Sequence, residues 1–188
     1  MIKAKGGYVA ICAGSAEKPE DAECMVRTAV DQFDQLDVLY NNIGGGGVEL
    51  DKKLHEISIE AYDRIVSSNL TSVYNACKAA ILQFLKQGKV GCIINVAASE
   101  HVRRMANPIY AYTKAGNIEM SLNMANDYLD DRIRVNCLAP GLFAYEPIKD
   151  PIVRPNYGPA DPSCLPSGPN STMLPLAHFR VELPTISI

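Results

Sequence analysis

The chain has 188 residues, 47% of them apolar and 21% charged, which is enough for one domain with a hydrophobic core and ordinary for a globular protein. A formal charge of -3 and a pI near 5.6 give no broad attraction for nucleic acid or an anionic membrane surface, so neither is expected as a partner. No apolar run approaches the ~20 residues that cross a bilayer, and the N-terminal residues lack a signal-peptide core, so a cytoplasmic location is expected.

In chain order, Tyr8 to Ala13 reads as a first buried strand. Pro19 to Gln35 follows with a helical period: Ala22, Met25, Val26, Ala29, Val30 and Phe33 share one face, and Pro19 suits the first turn. Asp37 to Ile43 is a second strand. A long helix is expected from Ile59 to Gln87, with Ser58 as its N-cap and Ile65, Leu70, Val73, Cys77, Ala80, Ile81 and Phe84 on its apolar side. Gly91 to Ala97 and Ile133 to Ala139 are two further strands, separated by a helix from Pro108 to about Asp130. Each strand lacks polar alternation, as strands buried on both faces do. Arg103-Arg104, the one adjacent basic pair of note, reads as part of a solvated loop. From Leu142 onward there are nine prolines in 47 residues, so residues 1–145 are expected to form the core and 146–188 a proline-rich, irregular tail. The six cysteines, Cys12, Cys24, Cys77, Cys92, Cys137 and Cys164, show no C-x-x-C pair and no histidines at ligand spacing. Reduced thiols and no metal site are expected.

Strands alternating with crossover helices imply parallel pairing and an α/β, doubly wound sheet. Ligands of such sheets bind at the carboxyl ends of the strands. Attention therefore falls on Asn41-Asn42-Ile43-Gly44, Ala97-Ala98-Ser99 and Pro140-Gly141. Tyr110 and Lys114 lie one turn apart on one face of the helix that starts at Pro108. A lysine cation beside a tyrosine stabilises the phenolate, which makes the pair a proton donor and acceptor near neutral pH. Asn69 is a mediocre helix former inside a long helix. His55, His101 and His178 lack partnered Cys, Ser or Asp at a recognisable spacing, so nucleophilic catalysis by Cys or His has little support.

Several of these segments occur in a familiar order. Leu36-Asp37-Val38 followed by Leu39-Tyr40-Asn41-Asn42-Ile43-Gly44, then Ser68-Asn69-Leu70, Ile93-Ile94-Asn95-Val96, Tyr110-x-x-x-Lys114 and Arg134-Val135-Asn136-Cys137-Leu138-Ala139-Pro140-Gly141 together resemble the short-chain dehydrogenase/reductase family across residues 6 to 143. The resemblance implies a Rossmann-like fold and NAD(P)-dependent hydride transfer between a nicotinamide, of NAD or NADP, and a small alcohol or carbonyl substrate. It implies that Tyr110 is the general acid/base, that Lys114 lowers its pKa and holds the nicotinamide ribose, and that Asn69 holds a water of the proton relay. Asn41 and Gly44 would border the adenosine and ribose, and Pro140 and Gly141 the nicotinamide. The helices at 59–87 and 108–130 would pair between subunits of a homo-oligomer.

The chain also departs from that pattern. The family's glycine-rich phosphate turn, which follows its first strand, is not recognisable, and Gly6-Gly7 resembles the turn before the third strand. The sheet is therefore expected to be incomplete, lacking the first two strands and the last. Ala13-Gly14-Ser15 stands where the family places an adenine-binding aspartate, Ile43 replaces a small residue, and Tyr145 stands near the family's threonine. Counting from Asn95 puts the catalytic serine at Ala98, and counting back from Tyr110 puts it at Ala97. Ser99 is the nearby hydroxyl, either brought to the site by a one-residue shift or left facing solvent. An alternative function follows, that of a truncated, non-catalytic member acting through protein association.

Overall fold

The computed structural model describes residues 6–45 and 52–141. The expected tail at 146–188, Cys164, Tyr145 and His178 lie outside the described residues. Helix α1 spans Pro19–Phe33, with Pro19 in its first turn and Glu20 and Asp21 there as well, where acidic side chains suit the positive end of the helix dipole. Strand β1 spans Val38–Asn41. Helix α2, Ile59–Val66, opens on Ser58, whose hydroxyl accepts from the Ala61 N–H at 3.2 Å. A π-helical turn at Ser67–Thr71 joins it to α3, Ser72–Gln87, so the long helix read from Ile59 to Gln87 carries one extra residue in a turn, centred on Asn69. A short 3-10 turn at Leu54–Glu56 precedes α2, and strand β2, Gly91–Val96, helix α4, Glu100–Met105, helix α5, Pro108–Asp127, and strand β3, Ile133–Leu138, complete the described elements.

The three strands are parallel in the order β1-β2-β3, with Asn41 opposite Asn95 and Asn95 opposite Cys137. Leu39, Ile93, Ile133 and Val135 point to one face, against Val73, Ala76, Ala80 and Phe84 of α3 and Met120 and Met124 of α5. Ala22 and Val26 of α1 close the same core. Among the described residues Phe84 is the largest fully buried side chain, and Gly91 is glycine because a Cβ there would lie 2.5 Å from the Phe84 ring. The result is a partial Rossmann-like α/β sheet.

Two readings change. Tyr8 to Ala13 forms no strand, and Tyr8 and Ile11 are almost fully exposed. An apolar run becomes a strand only when another chain segment satisfies its N–H and C=O groups, and none of the described segments lies alongside it in the sheet. Strand β1 is not buried on both faces either: Val38 and Tyr40 are about half exposed, while Leu39 and Asn41 are buried. The described helices cover only the face that Leu39 and Asn41 share.

The Cys77 thiol is buried in this core and pushed up to about 11 by desolvation, against the opposing pull of hydrogen bonds with Asn95 and Asn41. A buried thiol that keeps its proton in the folded state while the unfolded thiol ionises makes stability fall as pH rises between those two values. Relative to Cys77→Ala, the parent chain should therefore lose about 2 kcal/mol of stability between about pH 8 and pH 11. Urea titrations of both chains at each pH measure this; a constant gap between them would contradict it.

Candidate functional site

The carboxyl ends of all three strands are tied together by backbone and side-chain bonds. Ala97 N–H donates to Leu138 C=O at 2.7 Å, and Ser99 N–H donates to Pro140 C=O at 2.9 Å, which seams the end of β2 to the end of β3. The Lys114 ammonium donates to Ile43 C=O at 3.0 Å and Val96 C=O at 3.2 Å, which seams the end of β1 to the end of β2. Lys114 therefore reaches the strand edge where ligands of such sheets bind.

Lys114 gets there because α5 starts at a defined point. Asn107 is its N-cap and its side chain accepts from Tyr110 N–H at 2.9 Å, with Pro108 opening the helix. This places Tyr110 in the first turn and Lys114 one turn on, with the ammonium 5.7 Å from the centre of the Tyr110 ring. Tyr110 is half-buried and Lys114 is 4% exposed. Burial pulls the lysine below its ordinary range, and the neighbouring Cys137 works the other way. Burial in turn raises the Cys137 thiol, against Ser121, Ala97 and the Lys114 charge.

Asn69 sits at the π-turn, fully buried. Its amide donates to Gly45 C=O and Ile65 C=O, both at 3.0 Å, and its backbone C=O accepts from the Asn117 amide at 3.0 Å. The side-chain oxygens of Asn69 and Asn117 are buried with no hydrogen-bond partner. Such an oxygen is an acceptor that a water or ligand donor would satisfy. Gly44 lies directly against Asn69, with φ +97° and room for no Cβ.

The other expected site residues are placed differently. Asn41 is 1% exposed, and its amide donates to the Asn95 side-chain oxygen at 2.9 Å and to the Cys77 sulfur at 3.4 Å. Its side chain thus faces into the core, not toward the strand edge. Ser99 is the N-cap of α4, its hydroxyl accepting from Val102 N–H at 3.3 Å, and its oxygen lies 4.0 Å from where a Cβ on Gly141 would be. Ala97 and Ala98 are buried. Arg103 and Arg104 belong to α4 and not to a loop: Arg103 donates to Ala98 C=O, and exposed Arg104 pairs with Glu100 at 2.6 Å. A sextet at Glu100–Met105 is too short to show a helical period, although Ser99 ahead of Glu100 is a capping signal.

Sequence reasoning missed a buried polar chain beneath the site. Asn95 donates to the Ser121 hydroxyl at 2.9 Å and Ser121 donates to Asn117 C=O at 2.6 Å. Together with the Asn41 and Asn69 bonds this links β1, β2, α5 and the π-turn through side chains. The available signal was polar residues at apolar positions: Asn95 in a β-branched strand, Asn117 and Ser121 in a helix.

Among the described residues no group of three His, Cys, Asp or Glu side chains could hold a metal ion, and no helix is long and apolar enough to cross a membrane. Residues 1–153 match the family model for short chain dehydrogenases. The chain is 33% identical over 147 residues to glucose 1-dehydrogenase 2 of Bacillus subtilis, covering 78% of this chain and 56% of that protein. It is 32% identical over 141 residues to 3beta-hydroxysteroid dehydrogenase 1 of Eggerthella lenta, covering 74% and 53%. Among solved structures, a short chain dehydrogenase from Mycobacterium smegmatis superposes with a TM-score of 0.68 at 27% identity, covering 76% of this chain and 59% of that one. A 3-ketoacyl-(acyl-carrier-protein) reductase from Brucella melitensis complexed with NADH superposes with a TM-score of 0.63 at 28% identity, covering 69% and 54%. The chain spans little more than half the length of the curated relatives it matches.

Proposed function

This chain belongs to the short-chain dehydrogenase/reductase family of oxidoreductases, and we propose that it takes part in hydride transfer between NAD or NADP and a small alcohol or carbonyl compound. One observation carries the reading: buried Lys114 spans the ends of β1 and β2 with the Tyr110 ring beside it. The residues present fit the nicotinamide and ribose half of such a cofactor. Two of the three Lys114 N–H groups are committed to carbonyls, leaving the third for a ribose hydroxyl. The Pro140-Gly141 pair provides backbone that a ring can approach closely, since a Cβ on Gly141 would meet only the Ser99 oxygen at 4.0 Å, and Gly44 would border the ribose. The Gly44–Gly47 run between β1 and α2 lies partly outside the described residues, and a pyrophosphate cradle is not part of this fit.

Bound there, the nicotinamide supplies or accepts the hydride. Tyr110 moves the proton: its phenolic oxygen gives a proton to the carbonyl oxygen in reduction and takes it from the alcohol in oxidation. Lys114 lies close enough to stabilise the phenolate between those steps. The unpartnered Asn69 oxygen would accept from a water that carries the proton onward. Ser99 caps α4 next to Gly141 and, through its hydroxyl proton, would donate to the substrate oxygen in place of the alanines at 97 and 98. The names of the relatives span a sugar dehydrogenase and a hydroxysteroid dehydrogenase, so the substrate panel is a set of secondary alcohols that includes a hexose and a 3β-hydroxysteroid. Exposed Tyr74, Leu82, Leu85 and Leu122 on α3 and α5 support pairing of these helices in a homo-oligomer.

Titration of the folded chain with NADH and NADPH, followed by nucleotide fluorescence, tests the reading. Saturable binding at micromolar to low-millimolar concentration is expected, and Lys114→Met should weaken it about tenfold, the loss of one charge-assisted hydrogen bond. Absence of binding by a chain that unfolds cooperatively would favour a non-catalytic member that acts through association.

A further inference from the structure

We infer that Cys12 and Cys24 form a dithiol that low-molecular-weight disulfides oxidise to an intramolecular disulfide, fastening the Tyr8–Gly14 segment to α1. The two sulfurs lie 3.7 Å apart. A disulfide bond requires them to close by roughly 1.6 Å, within the reach of side-chain rotation when one partner lies outside the helices and strands, as Cys12 does.

The chain reversal before α1 brings them together. Lys18 N–H donates to Ser15 C=O at 2.9 Å, closing a turn, and Ser15 N–H donates to the Asp21 carboxylate at 2.9 Å. Gly14 packs so closely on Asp21 that a Cβ would lie 2.9 Å from its carboxyl carbon. Asp21 and Cys24 are three residues apart in α1 and share a face. Cys12 is three residues before Ser15. The clamp of Ser15 on Asp21 therefore lays Cys12 along the helix beside Cys24. Cys12 belongs to no strand, and its neighbour Ile11 is 89% exposed, so no sheet ladder holds it back.

Both thiols are partly exposed, whereas Cys77 and Cys92 are buried. The Cys24 thiol is also drawn below the ordinary range, first by the hydrogen bond with Cys12 and then by Arg27, which raises the fraction present as thiolate. With oxidised glutathione as the oxidant, the Cys24 thiolate attacks one glutathione sulfur and releases one glutathione thiolate. The Cys12 thiolate then attacks the Cys24 sulfur of the mixed disulfide and releases the second. The protein loses two electrons and two protons, and one molecule of glutathione disulfide becomes two of glutathione. Neither cysteine belongs to the Tyr110 site, so this inference stands apart from the proposed activity.

The test is equilibration of the full chain with graded ratios of oxidised to reduced glutathione, alkylation of remaining thiols, and peptide mapping after cleavage at glutamate. Glu17, Glu20 and Glu23 lie between the two cysteines, so the disulfide would appear as two joined peptides that separate on reduction. Expected is a Cys12–Cys24 link that saturates within the titration, with Cys77 and Cys92 still alkylated in the unfolded quench. In Cys24→Ser the link should vanish and Cys12 should carry glutathione instead. Alkylation of both Cys12 and Cys24 at the most oxidising ratio, glutathione on both without a link, or a link from either to another cysteine or another chain would each overturn the inference.

Discussion

Tyr110→Phe should lower turnover of any secondary alcohol that the chain oxidises by a factor of about 10² to 10⁴, the usual range for loss of a positioned acid/base group, while leaving the fold and NAD(P)H affinity nearly unchanged. The backbone N–H of residue 110 would still donate to Asn107, because that bond does not involve the phenol. The ring of residue 110 would still lie beside the Lys114 ammonium, and Lys114 would keep its carbonyl partners at Ile43 and Val96. The deletion thus removes one oxygen and little packing. A pH profile gives a second readout, because the alkaline rise in oxidation rate that a titrating phenol produces should flatten in the variant. Parent-level turnover in Tyr110→Phe would remove Tyr110 from the chemistry. Matched losses of turnover and cofactor affinity would mean that the hydroxyl shapes the site without transferring the proton.

The elements that were legible in the sequence are those whose signal is local and repeated. The helix at Pro19 shows its apolar stripe and its proline start, and the structure ends it at Phe33, two residues before the expected end. The helix from Pro108 was placed correctly at its start, and its last expected turn, to Asp130, is absent because it ends at Asp127. What local pattern cannot supply is the partner. Tyr8 to Ala13 has the composition of a buried strand, yet strand formation depends on a neighbour that lies elsewhere in sequence. The same gap explains β1, whose apolar side chains say nothing about whether a helix covers Val38 and Tyr40.

The candidate site shows the same division. Tyr110 and Lys114 were legible as one helical face because i and i+4 are fixed by helix geometry. The role of Lys114 as a bridge from Ile43 to Val96, 71 and 18 residues away, depends on how β1, β2 and α5 register. The inward turn of Asn41 depends on register too: it meets Asn95 because those two residues are directly opposite in the ladder. Ordered motifs single out segments, but only packing decides which atom of each segment faces the strand edge. Ile43 C=O, for example, accepts from Lys114, and Gly45 C=O accepts from Asn69, whereas the Asn41 amide turns to Asn95.

Gly44→Ala should destabilise the chain by about 2–5 kcal/mol, the sum of roughly 1–2 for a left-handed backbone that alanine disfavours and about 1–3 for overpacking. The added methyl would lie 2.3 Å from the Asn69 side-chain oxygen, 2.7 Å from its carboxamide carbon and 3.3 Å from its Cα. Rotation of the side chain alone does not clear the Cα, and rotation breaks the bonds from the Asn69 amide to Gly45 and Ile65. The clash therefore reaches the π-turn itself. Because the steric and conformational parts have separate causes, a double-mutant cycle divides them. Asn69→Ala removes the atoms nearest the new methyl, so in that background Gly44→Ala should cost less by about 1–2 kcal/mol, within the range for residues in contact. Denaturant unfolding of the four chains gives this coupling. Strict additivity would mean that the turn at Gly44 moves away from Asn69 without penalty. The close approach of these two residues would then owe nothing to the requirement for glycine, which would rest on the +97° backbone alone.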